Sequence, residues 1–159
     1  MRAESRVVHV VLHAASWAEE QSAAVVPLHA SVLALTPWPE HVYTESLAQL
    51  LAWLGQQTPK RPLLGLTGRP LHDNAHLPLR GGSLLSQGLA VVSSFELDER
   101  ALVGTLRHEL AHAFGLDHCE VIHCVMSERP WPLDVCDRSG EFCPSCRQRW
   151  LALTSQAAG

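Results

Sequence analysis

Apolar residues along this chain fall in blocks whose spacing switches between a strand period and a helix period. Val7, Val8, Val10 and Val11 make a β-branched run, broken only by His9, that predicts a buried strand. Residues 31–35 (Ser-Val-Leu-Ala-Leu) predict a second strand, ended by Pro37 and Pro39, and residues 14–21 between the two predict a short helix. Leu47, Leu50, Leu51 and Leu54 stand at i, i+3, i+4 and i+7, one face of a helix that Thr44 can cap and that Gly55 and Pro59 close. Residues 62–67 predict a third strand. Residues 68–87, with Gly68, Pro70, Pro78, Gly81 and Gly82, read as a long loop, a feature that in compact domains usually serves function. Residues 88–97, around Leu89-Ala90-Val91-Val92, predict a fourth strand. Asp98 can then cap a helix over about residues 99–114, buried along Leu102, Leu106, Leu110 and Ala113/Phe114. A last helix is expected over residues 147–154. Strands alternating with helices give an α/β (α+β) domain, a twisted mixed sheet of about four strands with helices packed on it.

Composition narrows the class. A length of 159 residues suits one domain over 1–159, here a sheet and helix part (1–116) followed by a Cys-rich part (117–159). Hydrophobic residues at 47% against 18% charged can bury a core, which excludes wholesale disorder. A formal net charge of -4 argues against a nucleic-acid binder that works by neutralising phosphates. No apolar run approaches the roughly 18 residues of a membrane span. The run at 7–12 is shorter than most signal-peptide cores, so no export signal is read and a cytoplasmic protein, monomeric and with reduced thiols, is expected.

The chemistry is concentrated in two constellations. In His108-Glu109-Leu110-Ala111-His112-Ala113-Phe114-Gly115-Leu116-Asp117-His118, the first two histidines are i and i+4 and project from one helix face. Two imidazoles so placed can hold one zinc ion. Gly115 can take the left-handed conformation that ends a helix, which turns the chain back so that His118 supplies a third nitrogen. Three neutral imidazoles leave one coordination position open, the arrangement of catalytic zinc sites. Glu109 is not a ligand but stands beside one, placed to take a proton from a water there and pass it to a leaving amine. A single histidine on a helix is usually just a solvated side chain; the full pattern of three His, one Glu and one Gly carries a mechanism.

Cys119 and Cys124, with the C-x-x-C knuckle Cys143-Pro144-Ser145-Cys146, match a closed four-thiolate zinc site, which is structural because no position stays open. Free thiols or a redox C-x-x-C are the plainer readings, and the second pair speaks against them. Cys119 directly follows His118, so the two metals are expected to be linked through one peptide bond, with the structural zinc fixing the chain that delivers the third imidazole. Cys136 is left as a spare or buried thiol. His123 is expected to be exposed rather than a ligand.

These residues resemble the metzincin signature, with Met126 as the Met-turn residue. Cys119, Cys124, Met126, Cys143 and Cys146 narrow the resemblance to the archaemetzincin family, strongly over 91–146. The resemblance implies a compact metzincin-like fold, two zinc ions and metallopeptidase chemistry on a peptide or unfolded protein. It also implies that the 88–97 strand is a sheet edge facing the cleft, to which a peptide could add. Upstream, Thr67-Gly68-Arg69-Pro70-Leu71 and Arg80-Gly81-Gly82-Ser83 depart from the family's pattern. Where several metzincins carry a Tyr two residues after the Met to stabilise the oxyanion, this chain has Glu128, and Tyr43 is its one tyrosine. A slow or narrow peptidase is therefore expected, since one lost oxyanion donor costs about 100- to 1000-fold. The alternative is a catalytically weak or inactive zinc-stabilised peptide-binding module, against which the presence of Glu109 speaks.

Overall fold

The computed structural model describes residues 7–12, 29–35, 46–57, 59, 61–128 and 141–155. Its strands are β1 (Val7–Leu12), β2 (His29–Leu35), β3 (Leu63–Thr67), β4 (Leu71–His72), β5 (Pro78–Leu79), β6 (Gly81–Leu84) and β7 (Leu89–Ser93). Its helices are α1 (Leu47–Gln57), α2 (Glu99–Ala113) and α3 (Pro144–Ser155). The main sheet has five strands in the order β2-β1-β3-β7-β6, and β4 and β5 form a separate two-stranded ribbon. β1 pairs in parallel with β2 and β3, and β3 with β7; β6 runs antiparallel to β7. The expected helix at 14–21, the Thr44 cap and Cys136 lie outside the described residues.

Side-chain alternation sorts the sheet into two buried faces. Leu63, Leu89 and Val91 pack with Leu50, Leu51 and Leu54 of α1. Their neighbours Leu64, Leu66, Ala90 and Val92 pack with Leu102, Leu106 and Leu110 of α2. Burial on both sides explains why β3 and β7 read as continuous apolar runs rather than as alternating ones. α2 starts where expected: the Asp98 carboxylate accepts the Ala101 N–H at 2.7 Å. α3 begins three residues before the expected 147, within the C-x-x-C knuckle. It lays Trp150 against Phe114 at the end of α2 and against Phe142, with ring centroids 5.0 and 5.5 Å apart.

Two expectations are corrected. Residues 68–87 are not a bare loop, because they hold β4, β5 and β6. The 88–97 strand is not an edge, because β7 lies between β3 and β6. The strand that borders the cleft is β6, whose Gly81-Gly82-Ser83-Leu84 has no apolar alternation to reveal it. Its glycines are there for close approach. A Cβ at Gly81 would stand 2.8 Å from the Val91 carbonyl oxygen and 3.0 Å from Glu109 Cγ; one at Gly82 would stand 2.1 Å from Leu47 Cδ2. Absence of those two methyl groups lets the edge strand lie against both helices at once.

Candidate metal centres and active-site cleft

The helix end sets up the first centre. The Gly115 N–H donates to the His112 carbonyl at 2.8 Å and the Leu116 N–H to the Ala111 carbonyl at 2.9 Å, a Schellman cap on α2. Gly115 has φ +98°, and nothing lies within 4 Å of a Cβ placed there, so glycine is required by backbone conformation and not by space. Gly115→Ala is expected to cost about 1–2 kcal/mol. That should lower the thermal midpoint by about 2–8 °C, measurable by calorimetry.

The chain leaving that cap brings the three imidazoles together. His112 Nε2 stands 3.1 Å from His108 Nε2 and 3.0 Å from His118 Nε2. The remaining ring nitrogens are held from behind. His108 Nδ1 is 2.7 Å from the Val125 carbonyl and His112 Nδ1 is 2.7 Å from the Leu116 carbonyl. A carbonyl only accepts, so each Nδ1 must carry the proton and each Nε2 must present a lone pair. Burial also lowers the pKa of His112, which keeps it neutral. Lone pairs of neutral rings facing one another at about 3 Å repel unless a cation lies among them. A tetrahedral zinc with Zn–N of ~2.0–2.1 Å would set nitrogens ~3.3 Å apart, close to what is seen. The donor set therefore fits zinc.

The cysteines converge separately. Cys119, Cys124, Cys143 and Cys146 bring their sulfurs within 4.8 Å of one another, with Cys119 and Cys143 3.8 Å apart. Zinc–sulfur bonds of ~2.3 Å give a tetrahedral edge of ~3.8 Å. Backbone N–H groups are aimed at the sulfurs: Val121 at Cys119 (3.3 Å), Met126 and Cys143 at Cys124 (3.4 and 3.3 Å), and Cys146 at Cys143 (3.5 Å). The Arg149 guanidinium adds a donor to Cys146 at 3.5 Å. Thiolates accept such bonds far better than thiols. The Cys146 N–H pulls the Cys143 thiol down to about 7, while burial pushes Cys124 and Cys146 up. Four thiols in this space cannot all ionise without a cation to gather them, and this donor set also fits zinc. His123 is exposed and belongs to neither group.

The two centres share their backbone. Cys119 follows His118, and its N–H donates to the Met126 carbonyl at 2.8 Å. Met126 is fully buried. Val125, whose carbonyl holds His108, follows Cys124 directly. Thus the thiol cluster reaches two of the three imidazoles.

Glu109 is 8% exposed, beneath the edge strand. Burial pushes its carboxyl up to about 7, against a hydrogen bond from Ser83 on β6 that pulls it down. Sequence reasoning missed Ser83 because its strand was invisible. Two cavities flank the site. The larger, about 780 Å³, reaches from His108, Glu109 and His118 to Pro70, Phe95 and Glu128. The smaller, about 310 Å³, lies along Gly82, Ser83, Leu85 and Asp117. Arg80 and Phe95 at the larger cavity carried no signal in the sequence either, since neither belongs to a spacing pattern.

Comparison with known proteins bears on this arrangement. Residues 95–151 match peptidase family M54. The archaemetzincin of Methanopyrus kandleri is 33% identical over 123 residues, 69% of this chain and 70% of that protein. That of Pyrobaculum aerophilum is 42% identical over 50 residues, 31% of this chain and 32% of that protein. The crystal structure of the M. kandleri archaemetzincin superposes with a TM-score of 0.74 at 26% identity, covering 96% of this chain and 97% of that one. The archaemetzincin of Archaeoglobus fulgidus, crystallised with malonate, shares the fold with a TM-score of 0.74 at 22% identity, over 91% and 99% of the two chains. Fold and site together define a zinc metallopeptidase. Within that class, the chain belongs to the archaemetzincin family, peptidase family M54. No helix among the described residues is long and apolar enough to cross a membrane.

Proposed function

We propose that this metallopeptidase hydrolyses peptide bonds with Glu109 as general base, His108, His112 and His118 as ligands of a catalytic zinc, and Cys119, Cys124, Cys143 and Cys146 as ligands of a structural one. The single observation that carries this reading is a buried carboxylate beside three converging imidazole lone pairs, open to a cleft bordered by a sheet edge. Zinc held there supplies Lewis acidity toward water and toward the substrate carbonyl. The chain's own residues supply the rest. Ser93 N–H donates to the Arg80 carbonyl at 2.8 Å, so by alternation Gly81 and Ser83 turn their backbone groups to the open side of β6. An extended peptide can pair with those groups, which orients the bond to be cut. Ser83 fixes the Glu109 carboxylate, which takes a proton from the attacking water and returns it to the departing amine. Residues 1–116 carry the edge and α2, and 117–159 staple the third imidazole, as two parts of one domain.

Glu128, two residues after Met126, lines the larger cavity, and its carboxylate cannot donate to an oxyanion. A turnover below about 100 per second on a good peptide is expected, in a field where enzymes commonly reach 1–1000 per second. Stopped-flow or continuous fluorescence with a quenched peptide measures it. The reading itself is tested by incubating zinc-loaded protein with an unfolded polypeptide and counting new amino termini. Cleavage that stops on chelation and resumes with zinc is expected; no new termini would contradict it.

A further inference from the structure

We infer that Arg107 is a positioning residue for the histidine centre: through its ion pair with Glu141 it holds the carbonyl that aims His108 at the ion. This rests on His108 being a zinc ligand, as read above, and adds what keeps that ligand in place. Four links close a ring. Arg107 and His108 are neighbours on α2. His108 Nδ1 donates to the Val125 carbonyl at 2.7 Å. The Val125 N–H donates to the Glu141 carbonyl at 2.9 Å. The Glu141 carboxylate accepts from the Arg107 guanidinium at 3.0 Å, which returns the path to α2.

Both backbone polar groups of Val125 are used in this ring, and its side chain is fully buried. A ring nitrogen bonded to a carbonyl follows it, so any drift of Val125 turns the imidazole and moves Nε2 away from His112 and His118. Cys124 tethers Val125 from the thiol cluster; Glu141, two residues before Cys143, tethers it from the other side. Exposed ion pairs hold little, but the Arg107 side chain is only 17% exposed, and a cation largely withdrawn from water depends more on its partner. Neither Arg107 nor Glu141 lines the two cavities at the site, so neither is placed to meet a peptide there. Charge alone would act with the opposite sign. A guanidinium next to a dication weakens metal binding, so its removal would tighten the ion; removal of a clamp loosens it.

The test titrates zinc-loaded protein with a competing chelator and reads the affinity of the histidine centre. Thiolate charge-transfer absorption of cobalt-loaded protein reports the cysteine centre separately. Exchange of the His108 Nδ1 proton, followed by NMR, reports the ring without reference to a metal. Arg107→Met and Glu141→Ala are each expected to weaken zinc at the histidines about three- to tenfold, less than the 10- to 100-fold typical when a ligand's direct partner is lost. Both should speed exchange of the ring proton. The double variant should lose no more than the worse single one, because the two side chains act as one link. Arg107→Lys should keep most of the affinity, and the thiolate absorption should stay as in the wild type. Tighter zinc in Arg107→Met, opposite effects of the two substitutions, additive losses, thiolate absorption falling in step with the histidine centre, or unchanged affinity would each overturn the inference. If the wild-type histidines take up no zinc, the ligand reading fails by itself. The clamp then stands if the ring proton exchanges faster in both variants, and falls if its exchange is unchanged.

Discussion

Replacing Cys143 with Ser should remove one zinc from the protein outright and loosen the other. The first effect follows from the donor set, since three thiolates and a neutral hydroxyl hold zinc poorly. Structural zinc sites contribute about 10–16 kcal/mol of binding free energy in small peptides, so a large loss of stability in the C-terminal part is expected. The second effect follows from the shared backbone. Cys119 adjoins His118, and Cys124 adjoins the Val125 carbonyl that orients His108. Once the cluster opens, both imidazoles lose their fixed positions. Loss of such outer support typically costs about 10- to 100-fold in metal affinity. Zinc per chain by elemental analysis should fall from two to one, and a competing chelator should strip the remaining ion at lower concentration. A variant that keeps full activity and full zinc affinity at the histidines would show the centres to be independent.

The second large effect is expected from Glu109. Glu109→Gln keeps the shape and the Ser83 contact but cannot take a proton, so kcat should fall about 10²- to 10⁴-fold. Peptide affinity and zinc content should hardly change, which separates a lost base from a damaged fold. The pH profile adds an independent check. Burial raises the carboxyl to about 7, and a zinc held by the neighbouring imidazoles would pull it down. The base works only when ionised, so the rate is present above its pKa and is lost as the pH falls through it. The acidic limb of kcat/KM is therefore expected at or below about pH 7. A limb above pH 8, or equal rates for the wild type and Glu109→Gln, would remove Glu109 from the reaction.

What could be read from the sequence, and what could not, has a physical pattern. Buried elements announce themselves through periodicity: Leu47, Leu50, Leu51 and Leu54 gave α1, and Leu102, Leu106 and Leu110 gave the inner face of α2. The two candidate ligand sets stood out because metal chemistry fixes residue type and spacing together, as in His108 to His118 and Cys143 to Cys146, and the structure brings the members of each set together. β6 was not legible, since an edge strand squeezed between two helices needs glycine and not hydrophobicity. With it went Ser83, and the recognition that β7 is interior. Phe95 carried no signal because it stands in a turn after β7 and borders a cavity assembled from distant segments. The thiol cluster's grip on His108 through Val125 was likewise hidden, because it runs through a backbone carbonyl that any residue could supply. Only the link through the His118–Cys119 peptide bond was apparent.

Anomalous diffraction at the zinc edge, from crystals of the zinc-loaded protein, tests the central claim most directly. One ion is expected about 2.0–2.1 Å from the Nε2 atoms of His108, His112 and His118, with solvent or substrate in its remaining position. An ion closed by a fourth protein ligand, or imidazoles that bind no common ion, would contradict it.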